Sequence, residues 1–200
     1  MKQKRTGNNG NNPQPGDIIT VEPIKDLADI RSIKRLLADR PLYYALFVVG
    51  INTNLRGSDL LSLTESQVRD LIPGDTIEIR ERKTGKKRDV TINRAACEAI
   101  QRLLVSRDYR PGEKLFVGQR GQLTIQSLNR LVKQWCASIR LPGNYGSHTL
   151  RKTWGYHQRV TYGVGLPELM ECLNHSSQKT TLRYLGIGST EIRNIFQNEI

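Results

Sequence analysis

The chain is short of most features that would place it in a membrane, a secretory route or a metal-binding class. Its longest apolar run, PLYYALFVVGI at 41–51, is far shorter than the roughly 20 residues a membrane-spanning helix needs. The N-terminal MKQKRTGNNG lacks the apolar stretch of an export signal, so work in the cytoplasm without membrane contact is expected. Cys97, Cys136 and Cys172 are an odd number without C-x-x-C spacing, which argues against zinc and a disulfide framework and fits a reducing compartment. All three are expected to be core thiols. There is no internal repeat and no cluster of carboxylates at metal-ligand spacing. Acidic residues are scarce as well, 19 against 31 Lys and Arg, for a formal net charge of +12. That excess points to a polyanionic partner, nucleic acid first; a ribosome-associated or merely basic surface is the bland alternative.

What is present reads as one domain with a tail. GNNGNNPQPG at 7–16 is almost entirely Gly, Asn and Pro, so residues 1–16 are expected to form a flexible leader, with the folded domain over 17–200. Helical spacing of apolar residues covers 25–40, 42–55, the segment RAACEAIQRLLVSR after Asn93, and 124–141. A short helical piece follows Ser58, with Thr64 and Glu65 in a turn, and Leu115 to Val117 reads as extended. From Ser147 onward come SHTLRKTWGYHQRVTY, LPELMECL, QKTTLRYLG and STEIRNIFQNEI. The one strong period-two pattern is DTIEIRERKTGKKRDVTI at 75–92, a hairpin turning about Lys83 to Lys86. The fold class is therefore α+β, mainly α-helical, with one small antiparallel sheet.

Several residues invite a chemical reading. His148 and Arg151 lie one turn apart at a helix start, where backbone N–H groups, dipole and guanidinium favour a phosphate; a solvated basic face is the plain alternative. Arg56 follows an apolar helix at a forced turn, positioned to reach a cleft or, equally, to pair with Asp59. The hairpin carries seven basic residues from Arg80 to Arg94, interrupted by Glu81 and Asp89, and suits insertion into a DNA groove. In LNHSSQKTTLRYL, His175 precedes Tyr184 by nine residues, and His-Ser-Ser reads as a helix end followed by a new N-cap. The two side chains can then meet across a corner.

In the order Arg56, Lys83, His148, Arg151, His175 and Tyr184, with the phrases TNLRGSDLLSL, ERKTGKKR, HTLRKTW and LNHSSQKTTLRYL, the chain resembles the tyrosine recombinases, or phage integrase family, over residues 24–197. The resemblance implies that Arg56 and Arg151 clamp the non-bridging oxygens of a DNA phosphate, a task suited to the planar, permanently charged guanidinium. It implies that His175 donates to the same phosphate, that His148 accepts or holds the nucleophile's proton, and that Tyr184 attacks to form a 3'-phosphotyrosyl bond. Lys83 is then the acid that protonates the departing 5'-oxygen. Arg80, Arg82, Lys86, Lys87 and Arg88 of the hairpin, with Lys152 beside Arg151, are the expected DNA contacts. No metal or other cofactor is implied.

The partners implied are duplex DNA, further copies of the chain in a tetramer on that DNA with the helix 189–199 exchanged between subunits, and an accessory DNA-bending protein. The setting is a prokaryotic or phage-encoded, nucleoid-associated enzyme. Little more than one helix precedes Arg56, so the separate core-binding domain of many relatives is expected to be missing, in a short recombinase or an isolated domain. Asn174 stands where the family usually has glycine; Asn also tolerates a left-handed helix end. Alternatives are a type IB topoisomerase-like activity and a DNA-binding protein that kept the fold without the reaction.

Overall fold

The computed structural model describes residues 20–81, 85–119, 121–188, 193 and 196–199. The expected leader 1–16, Arg82, Lys83 and most of 189–199 lie outside the described residues. Helix α1 (Leu27–Leu36) starts where the Asp26 side chain accepts from the Ala28 N–H at 2.7 Å, and it buries Ile30 and Ile33. Pro41, whose missing N–H costs nothing at a first turn, opens α2 (Pro41–Asn52). Six consecutive buried residues, Ala45 to Gly50, make α2 a central helix rather than an amphipathic one.

Around it stand α5 (Arg94–Val105), capped by Asn93, and α6 (Ile125–Ser138), capped by Thr124. Between α2 and α5 the chain forms α3 (Gly57–Leu60), α4 (Glu65–Val68) and the hairpin β1 (Thr76–Arg80) with β2 (Lys87–Thr91). The hairpin is antiparallel, with Ile79 opposite Arg88. Two local expectations need correction. Thr64 and Glu65 open α4 rather than sit in a turn, because Thr64 and Gln67 complete a capping box. Val117 joins a second antiparallel pair, β3 (Val117–Gly118) with β4 (Gly121–Gln122), so the described residues hold two small sheets rather than one.

The last three described helices build the site. Helix α7 (Thr149–Val160) crosses α2 so closely that a Cβ on Gly50 would lie 2.5 Å from Leu150 Cδ1. Helices α8 (Leu166–Leu173) and α9 (Gln178–Leu185) pack on α7, and a Cβ on Gly155 would meet Leu185 Cδ2 at the same distance. An extended strap at 20–25 crosses α7: the Ile24 N–H donates to Thr153 Oγ1 at 2.9 Å, and Ile24 O meets His157 Nε2 at 3.0 Å. Two apolar clusters result. The larger runs through α1, α2, α5, α6, the hairpin and the start of α7; the smaller holds the buried Leu169, Leu173 and Leu185. Among the described residues no helix is long and apolar enough to cross a membrane. Cys97 and Cys136 are core thiols, but Cys172 is exposed, since α8 turns that side away from its leucines.

Candidate active site

Arg56 owes its place to a break after α2. Asn54 adopts the left-handed conformation at φ +53°, which turns the chain and leaves Arg56 as the N-cap residue of α3. Its Nη1 lies 2.5 Å from Glu81 Oε1 and 4.0 Å from Asp59 Oδ2, so the hairpin carboxylate is the nearer partner. Asn54 also donates to Cys172 O at 2.7 Å, joining the end of α2 to the end of α8.

His148 takes the N-cap position of α7, and Arg151 follows one turn on. Arg151 is 4 % exposed, which replaces the solvated basic face with a buried cation. Its Nη2 donates to Leu173 O at 3.3 Å, while Nη1 is buried with no acceptor in hydrogen-bond geometry. Burial pushes the guanidinium down to about 10, with Tyr184 pulling the other way and the neighbouring Arg56 and Arg88 adding to the drop. A guanidinium so placed gains from any anion that enters beside it.

The corner between α8 and α9 forms as the His-Ser-Ser pattern suggests. Asn174 ends α8 in the left-handed conformation at φ 57°, and Ser177 caps α9 by accepting from the Thr180 N–H at 3.2 Å. The His175 and Tyr184 rings meet edge to face, centroids 5.0 Å apart. His175 Nδ1 is 3.1 Å from Thr181 Oγ1, whose hydroxyl also lies 3.2 Å from Ser177 O, and a ring that carries a proton on Nε2 presents it as a donor. Burial, then Arg151 and Arg56, hold the His175 pKa below its ordinary value. Burial raises the Tyr184 phenol, against the opposing pull of the same two arginines.

One cavity of about 350 Å³ is lined by Arg56, His148, Arg151, Leu173, Asn174, His175 and Tyr184. Five of the six candidates for chemistry thus share a wall, and the sixth, Lys83, lies outside the described residues. His148 and Tyr184 also border a second cavity of about 630 Å³ lined by Val21, Lys152 and Arg183.

The expected DNA contacts divide. Arg80, Lys86 and Lys87 are exposed, with Lys87 Nζ 2.9 Å from Glu78. Two others are spent inside the protein. Arg88 Nη2 donates to Asn54 O at 2.9 Å and Nη1 to Cys172 O at 3.2 Å, because its place opposite Ile79 turns it inward. Lys152 is buried, its ammonium donating to Val21 O at 2.8 Å and lying 5.1 Å from the Tyr184 ring centroid, since the strap covers that side of α7.

Sequence reasoning passed over Glu81, treating it as an interruption in a basic run. Ile77 and Ile79 face the core, so period two puts Glu81 on the same inward face, and the same count from Val90 turns Arg88 inward. The signal was there in the alternation.

Comparison with known proteins decides the family. The Phage integrase family pattern matches residues 25–189. The chain belongs to the phage integrase family. Among these tyrosine recombinases, it is 36% identical over 178 residues to the probable integrase/recombinase YoeC of Bacillus subtilis, covering 86% of this chain and 93% of that protein. It is 28% identical over 165 residues to tyrosine recombinase XerC of Rhodospirillum centenum, covering 80% of this chain but 46% of that protein. The chain thus spans nearly all of YoeC and about half of XerC. Two solved recombinases share the fold: XerA, at TM-score 0.71 and 19% identity over 90% of this chain and 66% of its own, and XerH bound to a palindromic difH substrate. For XerH the TM-score is 0.69 and the identity 20%, covering 88% and 53% of the two chains.

Proposed function

We propose that this recombinase-family chain breaks and rejoins duplex DNA through a 3'-phosphotyrosyl intermediate and exchanges strands between sites. One observation carries the reading: two arginines, two histidines and a tyrosine from four separate stretches of chain line a single cavity. In the proposed step the Tyr184 oxygen attacks phosphorus, the phosphorus–5'-oxygen bond breaks, and the phenolic proton passes to His148 or through it to water. The departing 5'-oxygen takes a proton from Lys83. Arg56 and Arg151 stabilise the charge that grows on the non-bridging oxygens, Arg151 from a buried position. His175 donates Nε2–H to the same group. Because a phenol is a better leaving group than an alcohol, a new 5'-hydroxyl reverses the step and the bond energy is kept.

The net charge of +12 supports duplex DNA as the partner, as does the substrate-bound state of the XerH relative. A homotetramer on DNA, with residues 189–199 passed between subunits and a bending protein assisting, is the proposed working form. Deleting 189–200 is expected to leave DNA binding by single chains and to abolish assembly, read by native gel shift. The decisive experiment supplies a plasmid carrying two copies of DNA from beside the gene. Strand exchange gives inverted or deleted products; relaxed circles with unexchanged sequence indicate a topoisomerase, and neither product indicates a binding protein.

A further inference from the structure

Glu81 belongs to no role assigned so far, yet it sits at the centre of the site's charges. Its carboxylate is buried at 5 % exposure, with Arg56 Nη1 at 2.5 Å and Arg88 Nε at 3.7 Å. Arg88 in turn holds Cys172 O, and the next residue's carbonyl, Leu173 O, holds Arg151 Nη2. Two guanidiniums therefore flank one carboxylate, with Arg151 tied to the same chain segment, and Asp59, at 4.0 Å from Arg56, is the more distant acid. The Glu81 backbone also pairs with the start of the second strand's side of the hairpin: its N–H donates to Lys86 O at 2.9 Å, and its carbonyl accepts from the Gly85 N–H at 2.8 Å.

We propose that Glu81 is a positioning residue for the reaction, its carboxylate fixing Arg56 for the phosphate and tying that arginine to the hairpin that carries Lys83. The inference rests on the strand-transfer reading above. It has an uncommon signature. A negative charge beside the clamp opposes the DNA phosphate in the ground state, while the same charge holds the arginine in the geometry the transition state needs. Removing the charge without changing shape strengthens binding and slows cleavage. A purely structural role moves both the same way, together with the melting temperature.

The test compares wild type, Glu81→Gln and Glu81→Asp on nicked duplexes drawn from DNA beside the gene. It measures the dissociation constant, the rate of covalent adduct formation and the melting temperature. Glu81→Gln is expected to bind roughly threefold tighter and to form adduct about tenfold more slowly. Glu81→Asp, which keeps the charge and shortens the reach, is expected to bind like wild type and still react slowly. A Gln variant that reacts at the wild-type rate, or loses affinity, rate and melting temperature together, overturns the proposal while wild type still reacts. A wild type that forms no adduct overturns the strand-transfer reading and this inference with it.

Discussion

The two halves of the site stand on unequal foundations. Arg56 and Arg151 project from α2–α3 and α7, whose roots lie in the large cluster around Phe47, Phe116 and Trp135. His175 and Tyr184 ride on α8 and α9, which rest on Leu169, Leu173 and Leu185 with Trp154 and Val164 alongside. Buried apolar area is the main source of stability, so the two arginines of the proposed clamp are fixed by the large core and the proposed nucleophile by a small cluster. The α8–α9 arm is therefore expected to open locally before the rest of the domain unfolds.

Substitutions can break the comparison at either end. The largest effect is expected from Arg151→Ala: a loss of about 10³-fold in adduct formation, read by single-turnover kinetics, for a buried donor proposed to meet transition-state charge. Next is Phe47→Ala, fully buried in the large core, which should lower the unfolding free energy in urea by about 3–5 kcal/mol. Leu169→Ala removes a comparably buried side chain from the small cluster. It should cost adduct rate more than global stability, because amides of α8 and α9 then exchange through local opening, seen by hydrogen exchange. Equal global losses from Phe47→Ala and Leu169→Ala would erase the distinction.

Gly155→Ala probes the seam between the halves. The added methyl meets Leu185 Cδ2 and forces α9 off α7, at about 1–3 kcal/mol in stability, with slower cleavage at unchanged DNA affinity. The smallest effect is one of pH. His157 and His175 both sit below their ordinary pKa through burial, so the folded chain binds fewer protons than the unfolded one as pH falls past about 6.5. Stability present at neutral pH is therefore lost on acidification through the folded pKa values. His157→Gln should flatten that slope through the strap and His175→Gln through the arm, both measured by urea unfolding at pH 7.5 and 5.5.

The helices, the hairpin and the α8–α9 corner were legible because each rests on local chemistry: Asn93, Thr124 and Ser177 as caps, Pro41 at a first turn, Asn174 as a left-handed end. The six candidate residues came from the resemblance to the family rather than from local chemistry, and five of them line one cavity. Less legible was what long-range packing decides. Nothing local to Lys152 tells that a strap from residues 20–25 will cover it, and nothing local to Cys172 tells which side of α8 faces water. Glu81 and Arg88 fall between these cases, since alternation with Ile79 and Val90 turns them inward but only the tertiary fold brings Arg56 to meet them.

The most direct test of the account is covalent trapping. Wild type and Tyr184→Phe are incubated with nicked duplexes from DNA beside the gene, denatured, and the adduct peptide is identified by mass. The account predicts an adduct on Tyr184, lost in the Phe variant while DNA affinity is kept. An adduct that survives Tyr184→Phe, or salt-sensitive DNA binding with no adduct in wild type, contradicts it.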